Sequence, residues 1–539
     1  MSSFLRTAGA TVIAFAAAAG SCSLVVDTAA DQCATTDDCR ARGGAFAETV
    51  CGPQRTCIFS CTTNVSCSAR LGVDAVCLPD RGTCAPLLSQ DCPTLLAEPG
   101  DLARDPVILG LLLPQTGPNA AANRPRAQAV DLARREIMKV AGGIPRGDGV
   151  IRPLAILSCT DADDPVRAAR HLAEVVRVPA FVGPAFSGVT TTVATSVTIP
   201  AGVLLISPSA TSPTLTDLAD DGLVWRTAPS DVAQASAMAR LVETRIEPAL
   251  SAALAPGEKM RLAVVHKGDA YGVALGEALF KSLFFNGASA AGNGPSFLKL
   301  DYGDPATNTA AVQAQRYAAT LENLIAFRPH LVIDVGTTEA VTEILAKLEA
   351  TWPDAVPRTR YLLADGLRIP ELIELVTGNE PLRRRILGTI AASESPTFEL
   401  FRTAYLLEYK DGSQPDAYAA GAYDATYLLS YAVAAAGAGP LSGAVIRNGL
   451  VKTAPGPDRI PVTVGPGDFN KAAAAMRGAG IDVTGASGLL DWDVRAGEAP
   501  ADIQVWCITA AAEGPATFAP SGLVFRAKTG TFEGVSNCP

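Results

Sequence analysis

The sequence predicts an α/β protein of two Rossmann-like lobes, each a parallel sheet covered by helices, preceded by a small disulfide-rich module. Three observations carry this reading. From about Asp105 onward, short apolar runs alternate with amphipathic stretches, the pattern of strands buried on both faces by crossover helices. The alternation falls into two successive series, one per lobe. Upstream, nine of the thirteen cysteines crowd between Cys33 and Cys92.

The chain opens with a leader, residues 1–22. One basic residue (Arg6), an apolar stretch over 8–19 and small residues before Cys22 describe an export signal, with Cys22 as a lipidated first residue. Ala19 stands where a leucine is more usual, and the alternative is an ordinary secretory signal with Cys22 buried or paired. Without Cys22 the thirteen cysteines become an even set. The chain is therefore expected in the periplasm or at the cell surface, held by a lipid anchor. Ser23 after that cysteine suits outer-membrane sorting in a Gram-negative cell.

Residues 23–96 form the expected module. Cys33, Cys39, Cys51 and Cys57, then Cys61, Cys67, Cys77 and Cys84, look like one four-cysteine pattern used twice. The segment has few large apolar residues, so disulfides must supply the constraint its core cannot, at ~2–4 kcal/mol each. Zinc is the competing reading for paired cysteines. The spacings are too wide for the usual close pairs, the region has no histidine, and an exported chain favours oxidation, so no metal is expected. Connectivity within the module stays open. Two bridges per repeat would leave Cys92, Cys159, Cys507 and Cys538, for which Cys92–Cys159 and Cys507–Cys538 are the expected pairs.

Residues 97–539 form the large domain. Strands are expected over 107–113, 154–158, 180–182 and 203–206, with helices over 124–140, 165–176 and 187–199. The second series places strands at 262–266, 297–300, 331–334 and 361–363, with helices over 271–285, 312–327 and 340–350. Ligands of such sheets bind beyond the carboxyl ends of the strands. The loops there, Pro114-Gln-Thr-Gly-Pro-Asn119, Gly183-Pro-Ala-Phe-Ser-Gly-Val-Thr-Thr191 and Ser207-Pro-Ser-Ala-Thr-Ser-Pro213, are rich in hydroxyls and glycine. Ser187 and Thr211 could cap helix starts whose free amides suit a carboxylate. The plain alternative for each loop is turn and cap chemistry.

At these loops the chain resembles the type 1 periplasmic binding proteins, specifically the leucine/isoleucine/valine-binding group. The matching residues are Leu113-Pro-Gln-Thr-Gly-Pro118, Val182-Gly-Pro-Ala-Phe-Ser-Gly188, Ile206-Ser-Pro-Ser-Ala-Thr-Ser-Pro-Thr-Leu-Thr216, Ala270-Tyr-Gly272, Ala422-Tyr-Asp-Ala425 and Ser487-Gly-Leu-Leu-Asp-Trp-Asp493, in the family's order. The resemblance implies a ligand carboxylate on Ser187, Gly188, Ser209, Ala210 and Thr211, a covering tyrosine at Tyr271, and an ammonium partner at Asp365. Thr337 or Thr338 stands where many amino-acid receptors carry a second aromatic residue. The alternatives are a cap role for Asp365 on a helix over 367–376, and packing of Tyr271 over its own helix. Tyr423 and Asp424 are packing and cap residues by the same resemblance. It further implies a three-crossing hinge, with one lobe of about 105–230 and 392–485 and the other of about 231–391 and 486–539.

Composition excludes several classes. A net charge of −10 with 6% aromatic residues offers no basic stripe for nucleic acid. After residue 22 no apolar run reaches the ~20 residues that span a bilayer. Of the three histidines, His171 lies in a helical pattern and His266 and His330 flank strands, none beside a nucleophile motif, so no enzyme and no cofactor are expected. Asp161, Asp163 and Asp164 lack the rest of a calcium loop and read as a solvated turn. The expected function is a tethered receptor that captures an amino acid or similar small amphoteric solute, as the substrate-binding component of an ABC-type transporter with its membrane permease. The alternative is an envelope interaction lipoprotein that uses the same fold to contact a partner protein. The disulfide module favours that alternative, because a simple transport receptor has no need of it.

Overall fold

The computed structural model describes residues 31–538 apart from positions 48, 53–54, 60, 79–81, 394 and 511–513. The leader and Cys22 lie outside the described residues. The chain divides into two compact units, one ending at Thr62 and taking in Leu78–Thr83, the other formed by Thr63–Cys77 and the chain from Cys84 onward.

In the first unit a five-residue helix, Thr36–Arg40, precedes a hairpin of Thr49–Cys51 and Cys57–Phe59. The helix is too short to be stable alone. The Asp38 carboxylate gathers the amides of Ala34 and Thr35 (2.8 and 2.7 Å), and bridges Cys33–Cys51 and Cys39–Cys57 fasten the rest. In the second unit Cys67 pairs with Cys84. The second cysteine of each four thus joins the fourth, as a duplicated pattern would have it. Cys61 and Cys77 are also disulfide-bonded.

The large unit holds two sheets. The first contains β1 (Thr94–Leu96), β2 (Val107–Leu112), β3 (Leu154–Cys159), β4 (Ala180–Val182), β5 (Leu204–Ser207) and β6 (Val224–Arg226), in the order β6-β5-β4-β2-β3-β1. The second contains β7 (Leu262–His266), β8 (Phe297–Asp301), β9 (Leu331–Val335), β10 (Arg360–Leu363), β11 (Ile386–Ala391), β12 (Ile503–Ala510), β13 (Ala516–Arg526) and β14 (Thr531–Glu533). Their order is β8-β7-β9-β10-β11-β12-β13-β14. Every residue of β3, β5, β7 and β9 is buried, which is why these strands read as unbroken apolar runs. Each sheet has its own hydrophobic core, one built on Leu109, Ile156, Val182 and Tyr427, the other on Val264, Ile333, Leu362 and Trp506.

Two features correct a purely parallel expectation. The strand β1 starts upstream of residue 97 and pairs antiparallel with β3, where the Cys92–Cys159 bridge holds it at the sheet edge. At the other edge β12 pairs antiparallel with β11, and β13 and β14 extend a meander from it, so the second sheet is mixed. A hairpin connection can only add antiparallel strands, and the Cys507–Cys538 bridge ties the last segment back onto β12. Both expected pairs of the large domain are therefore formed.

The 20-residue helix α5 (Ala417–Ala436) links the two cores. Its first turn, Ala417 and Tyr418, packs into the second core, whereas Ala419 through Ala434 pack into the first. Among the described residues no helix is long and apolar enough to cross a membrane.

Replacing both Cys92 and Cys159 by alanine should destabilise the large unit by about 4 kcal/mol, because the bridge closes a 67-residue separation. Removing Cys507–Cys538, with a separation of 31, should cost somewhat less. Denaturant titration of the oxidised variants checks both values and their order.

Candidate ligand-binding cleft

Ligand crevices in open α/β sheets form where successive connections leave in opposite directions. That point falls between β2 and β4 in the first sheet and between β7 and β9 in the second. The loops following these strands hold Ser187 on one side and Tyr271 and Thr337 on the other. Gly183 brings the first of them close: its φ is +108°, and a Cβ there would collide with the Leu112 carbonyl.

Ser187 is the first residue of helix α2 (Ser187–Val193), whose cap position is Phe186. The Ser187 Oγ accepts the Ser212 amide at 3.1 Å, which leaves its hydroxyl proton free to donate. Gly188 follows in the first turn, where helical amides have no intrahelical acceptor. The next loop departs from expectation. Thr211 heads no helix; Ser212 caps the short turn Pro213–Leu215 instead. Ser209 Oγ donates to Ala185 O of the neighbouring 183–191 loop (2.9 Å) and the Ala210 amide donates to Ser207 Oγ (3.0 Å), so both groups are already committed. Among the described residues the Thr211 amide has no acceptor, and Thr211 is buried.

Arg226 fixes this loop. Its buried guanidinium donates to the carbonyls of Ser212 (2.8 Å) and Ala210 (3.3 Å) and to Thr216 Oγ1 (2.8 Å), while Nε meets Glu498 (2.8 Å). A planar fork with several donors suits this task better than an ammonium would.

Tyr271 lies in the first turn of helix α4 (Ala270–Ser282), capped by Asp269. Its hydroxyl donates to Asp365 Oδ1 at 2.7 Å, and the Tyr418 hydroxyl donates to Asp365 Oδ2 at 2.5 Å. Asp365 therefore caps no helix: the helix Pro370–Val376 begins after Ile369, and the carboxylate is spent on two tyrosines. Burial first, and then the Asp365 charge, push both phenols well above their usual range, so they remain donors. Gly366 lets the Asp365 turn approach the Gly336 carbonyl, a contact that a Cβ would block.

A second acid completes this pole. Asp231 opens helix α3 (Asp231–Leu241), is fully buried, and has no hydrogen-bond partner on either carboxyl oxygen. Burial and then the neighbouring Asp365 charge push it well above the carboxylate range, against the pull of Thr211 and Arg226. Arg126, on helix α1 (Ala120–Ala141), sits 5.2 Å from the centroid of the Tyr418 ring with its buried Nε unpartnered. The loops of the two sheets touch through Ser212 Oγ to Ala270 O (3.0 Å) and Thr338 Oγ1 to Asn119 Oδ1 (3.4 Å).

Thr337 is engaged elsewhere. It donates to Glu339 (2.6 Å) and accepts from Lys267 (3.4 Å), inside a cluster where Lys267 also meets Asp269 and Asp304. Tyr423 bonds Glu136, and Asp424 holds the amides of Ala486 and Ser487, as packing and cap residues. The acidic trio after β3 does not converge: Asp164 caps a helix, Asp163 is exposed and Asp161 is buried. The cleft thus combines hydroxyl and amide donors at Ser187, Gly188 and Thr211 with an acidic pole at Asp365 and Asp231.

With this geometry in view, a family model described as periplasmic binding protein matches residues 106–327. A leucine-binding protein of Thermotoga maritima superposes with a TM-score of 0.56 at 19% identity, over 77% of this chain and 97% of that one. The fold is that of the type 1 periplasmic binding proteins. A branched-chain amino acid substrate-binding protein of Streptococcus pneumoniae, solved with isoleucine, gives 0.55 at 19% identity over 77% of this chain and 99% of that one. Among curated relatives, a chemotactic signal transduction substrate-binding protein of Halobacterium salinarum is 35% identical over 188 residues, 33% of this chain and 41% of that protein. A Leu/Ile/Val-binding protein of Rhizobium johnstonii is 32% identical over 196 residues, 36% of this chain and 48% of that protein. The chain spans less than half the length of either curated relative.

Asp231, Tyr418, Arg226 and Arg126 have no motif in the sequence that marks them. An acid opening a helix reads as a cap, and Tyr418 sits in a helix whose every residue reads as core.

Asp161 offers a test of burial at the cleft edge. Desolvation raises its carboxyl to about 7, with Oδ2 unpartnered. A raised folded-state value means that the folded chain binds its proton more tightly than the unfolded chain. Stability is then lost as pH rises from the unfolded value near 4 through 7. Asp161→Asn should match the parent at pH 4 and exceed it by up to about 4 kcal/mol at pH 8. Denaturant midpoints at both pH values check this.

Proposed function

We propose that the large unit captures an amino acid, or a solute with the same pairing of carboxylate and ammonium, between its two lobes. It would act as the substrate-binding component of an ABC-type transporter, tethered outside the cytoplasm through Cys22. On this reading it is a binding protein and not an enzyme. The observation that carries it is Asp365, a buried carboxylate gripped by two tyrosine hydroxyls, with the unpartnered Asp231 beside it. Among the described residues neither Asp365 nor Asp231 forms an ion pair, and a ligand ammonium offsets the cost of burying them. The donors at Ser187, Gly188 and Thr211 supply the opposite pole. The lobes follow the boundaries given above, about 105–230 with 392–485 and about 231–391 with 486–539. Closure over the ligand then presents one state of the hinge to a permease. The matched relatives named for leucine, isoleucine and valine support this class of solute.

One observation favours the second reading, an envelope lipoprotein that contacts a partner protein: the first cysteine repeat, with Leu78–Thr83 of the second, belongs to a compact unit separate from the large one. The two readings separate in one screen. The oxidised full chain carrying Cys22→Ser is titrated with amino acids, amides and short peptides by thermal shift and calorimetry. A ligand at about 100 times its Kd stabilises the fold by ~2.7 kcal/mol. Asp365→Ala should weaken binding at least 30-fold, the expected cost of stripping one partner from a buried charge pair, about 2 kcal/mol or more. Tyr418→Phe and Thr211→Ala should each cost roughly tenfold, about 1.4 kcal/mol. A folded protein that binds nothing in the panel would sink the receptor reading in favour of the envelope partner.

A further inference from the structure

At the amino ends of the second sheet's parallel strands, the end that faces away from the cleft loops, lies a cavity of about 140 Å³. Arg360, Arg383, Arg384 and Arg385 are among the residues that line it, and the segment carrying Ser536 and Cys538 closes one side. The Cys507–Cys538 bridge holds that segment in place. Isoleucine and leucine side chains at Ile246, Leu331, Ile386 and Leu387 form the remaining wall.

The four charges are not equally satisfied. Arg385 forms a two-pronged pair with Glu349 (2.8 and 2.5 Å), and Arg384 pairs with Glu380 (2.8 Å). Arg383 has only the Ile508 carbonyl, at 3.3 Å, and among the described residues no carboxylate. Arg360 makes no side-chain hydrogen bond or ion pair among the described residues. Its strand neighbours are already committed through their backbones. Arg360 and Arg383, without a carboxylate partner among the described residues, therefore both line one recess, and the aliphatic side chains beside them strengthen the field of such charges.

Planar guanidinium forks recognise oxyanions through paired hydrogen bonds, and two unneutralised forks around one cavity match a tetrahedral oxyanion. We propose that this recess is an oxyanion-binding site, independent of the cleft, that takes a phosphoryl group. The group is carried either by free phosphate or by the headgroup of an anionic lipid. Ser536, on the closing segment, lies where its hydroxyl can add a neutral donor. The site does not depend on the identity of the cleft ligand.

The test uses the oxidised full chain with Cys22→Ser. Inorganic phosphate and pyrophosphate are titrated by calorimetry, and sedimentation is measured with vesicles of phosphatidylglycerol in phosphatidylcholine and of phosphatidylcholine alone. The expected result is saturable binding of a phosphoryl group that Arg360→Ala with Arg383→Ala weakens at least tenfold. Ser536→Asp, at an exposed position on the closing segment, should abolish it by adding a carboxylate to the recess. Binding of the free anions assigns the site to a solute. Binding of phosphatidylglycerol vesicles without free-anion binding assigns it to a headgroup. Absence of both, or binding that survives both the double substitution and Ser536→Asp, overturns the proposal.

Discussion

The carboxylate of Asp365 is the interaction on which the arrangement of the large unit turns. It lies in the turn after β10, buried, and receives one hydroxyl from Tyr271 and another from Tyr418. Those tyrosines arrive on different helices. Tyr271 belongs to the second core through α4, whereas Tyr418 begins a helix whose remaining length packs in the first core. Fixing both rings on one carboxylate ties the two cores together at the mouth of the cleft. It also leaves a negative charge in a place where water can do little to stabilise it.

The opposing wall answers with donors, and its shape is set from behind by Arg226. That guanidinium binds the carbonyls of Ala210 and Ser212, which turns the intervening Thr211 amide outward from the loop's own bonding. Glu498 balances the arginine from a segment 272 residues further along the chain. A single ion pair thereby couples the loop over 207–213 to that distant segment. Breaking such a pair on one side is far costlier than its net contribution to stability would suggest. Burial, and then the neighbouring Asp365 charge, likewise raise the Asp231 carboxyl well above the usual carboxylate range.

Much of this was legible in the residues. The buried strands announced themselves as short apolar runs, because both faces of each sheet are covered. The loops at 183–191 and 207–213 stood out through hydroxyls and glycine. Tyr271 and Asp365 followed from the family resemblance, and the structure brings them together. Other features were hidden for identifiable reasons. Thr337 is lost to Lys267 and Glu339, a three-dimensional charge grouping that no local pattern reports. Ser209 is spent on the neighbouring loop and the Ala210 amide on its own, so hydroxyl-rich sequence overstated the number of free donors. The strands β1, β13 and β14 escaped because their partial exposure breaks the apolar run that marked the others, whereas β12 is buried over Ile503–Ile508 and is broken in sequence only by Gln504. Cysteine counting served better: setting aside Cys22 and two bridges per repeat left four cysteines for the large domain, whose expected pairing matches the bridges formed, although the connectivity of the module stayed open.

The most direct measurement is a crystal structure of the protein grown with the tightest-binding amino acid from the solute screen. The account requires the ligand ammonium within hydrogen-bond distance of Asp365, between the Tyr271 and Tyr418 hydroxyls, and the carboxylate on the Thr211 amide and the start of α2. A ligand bound outside the cleft, or inside it with its ammonium turned away from Asp365 and Asp231, would contradict the claim that those two acids exist to meet a cation.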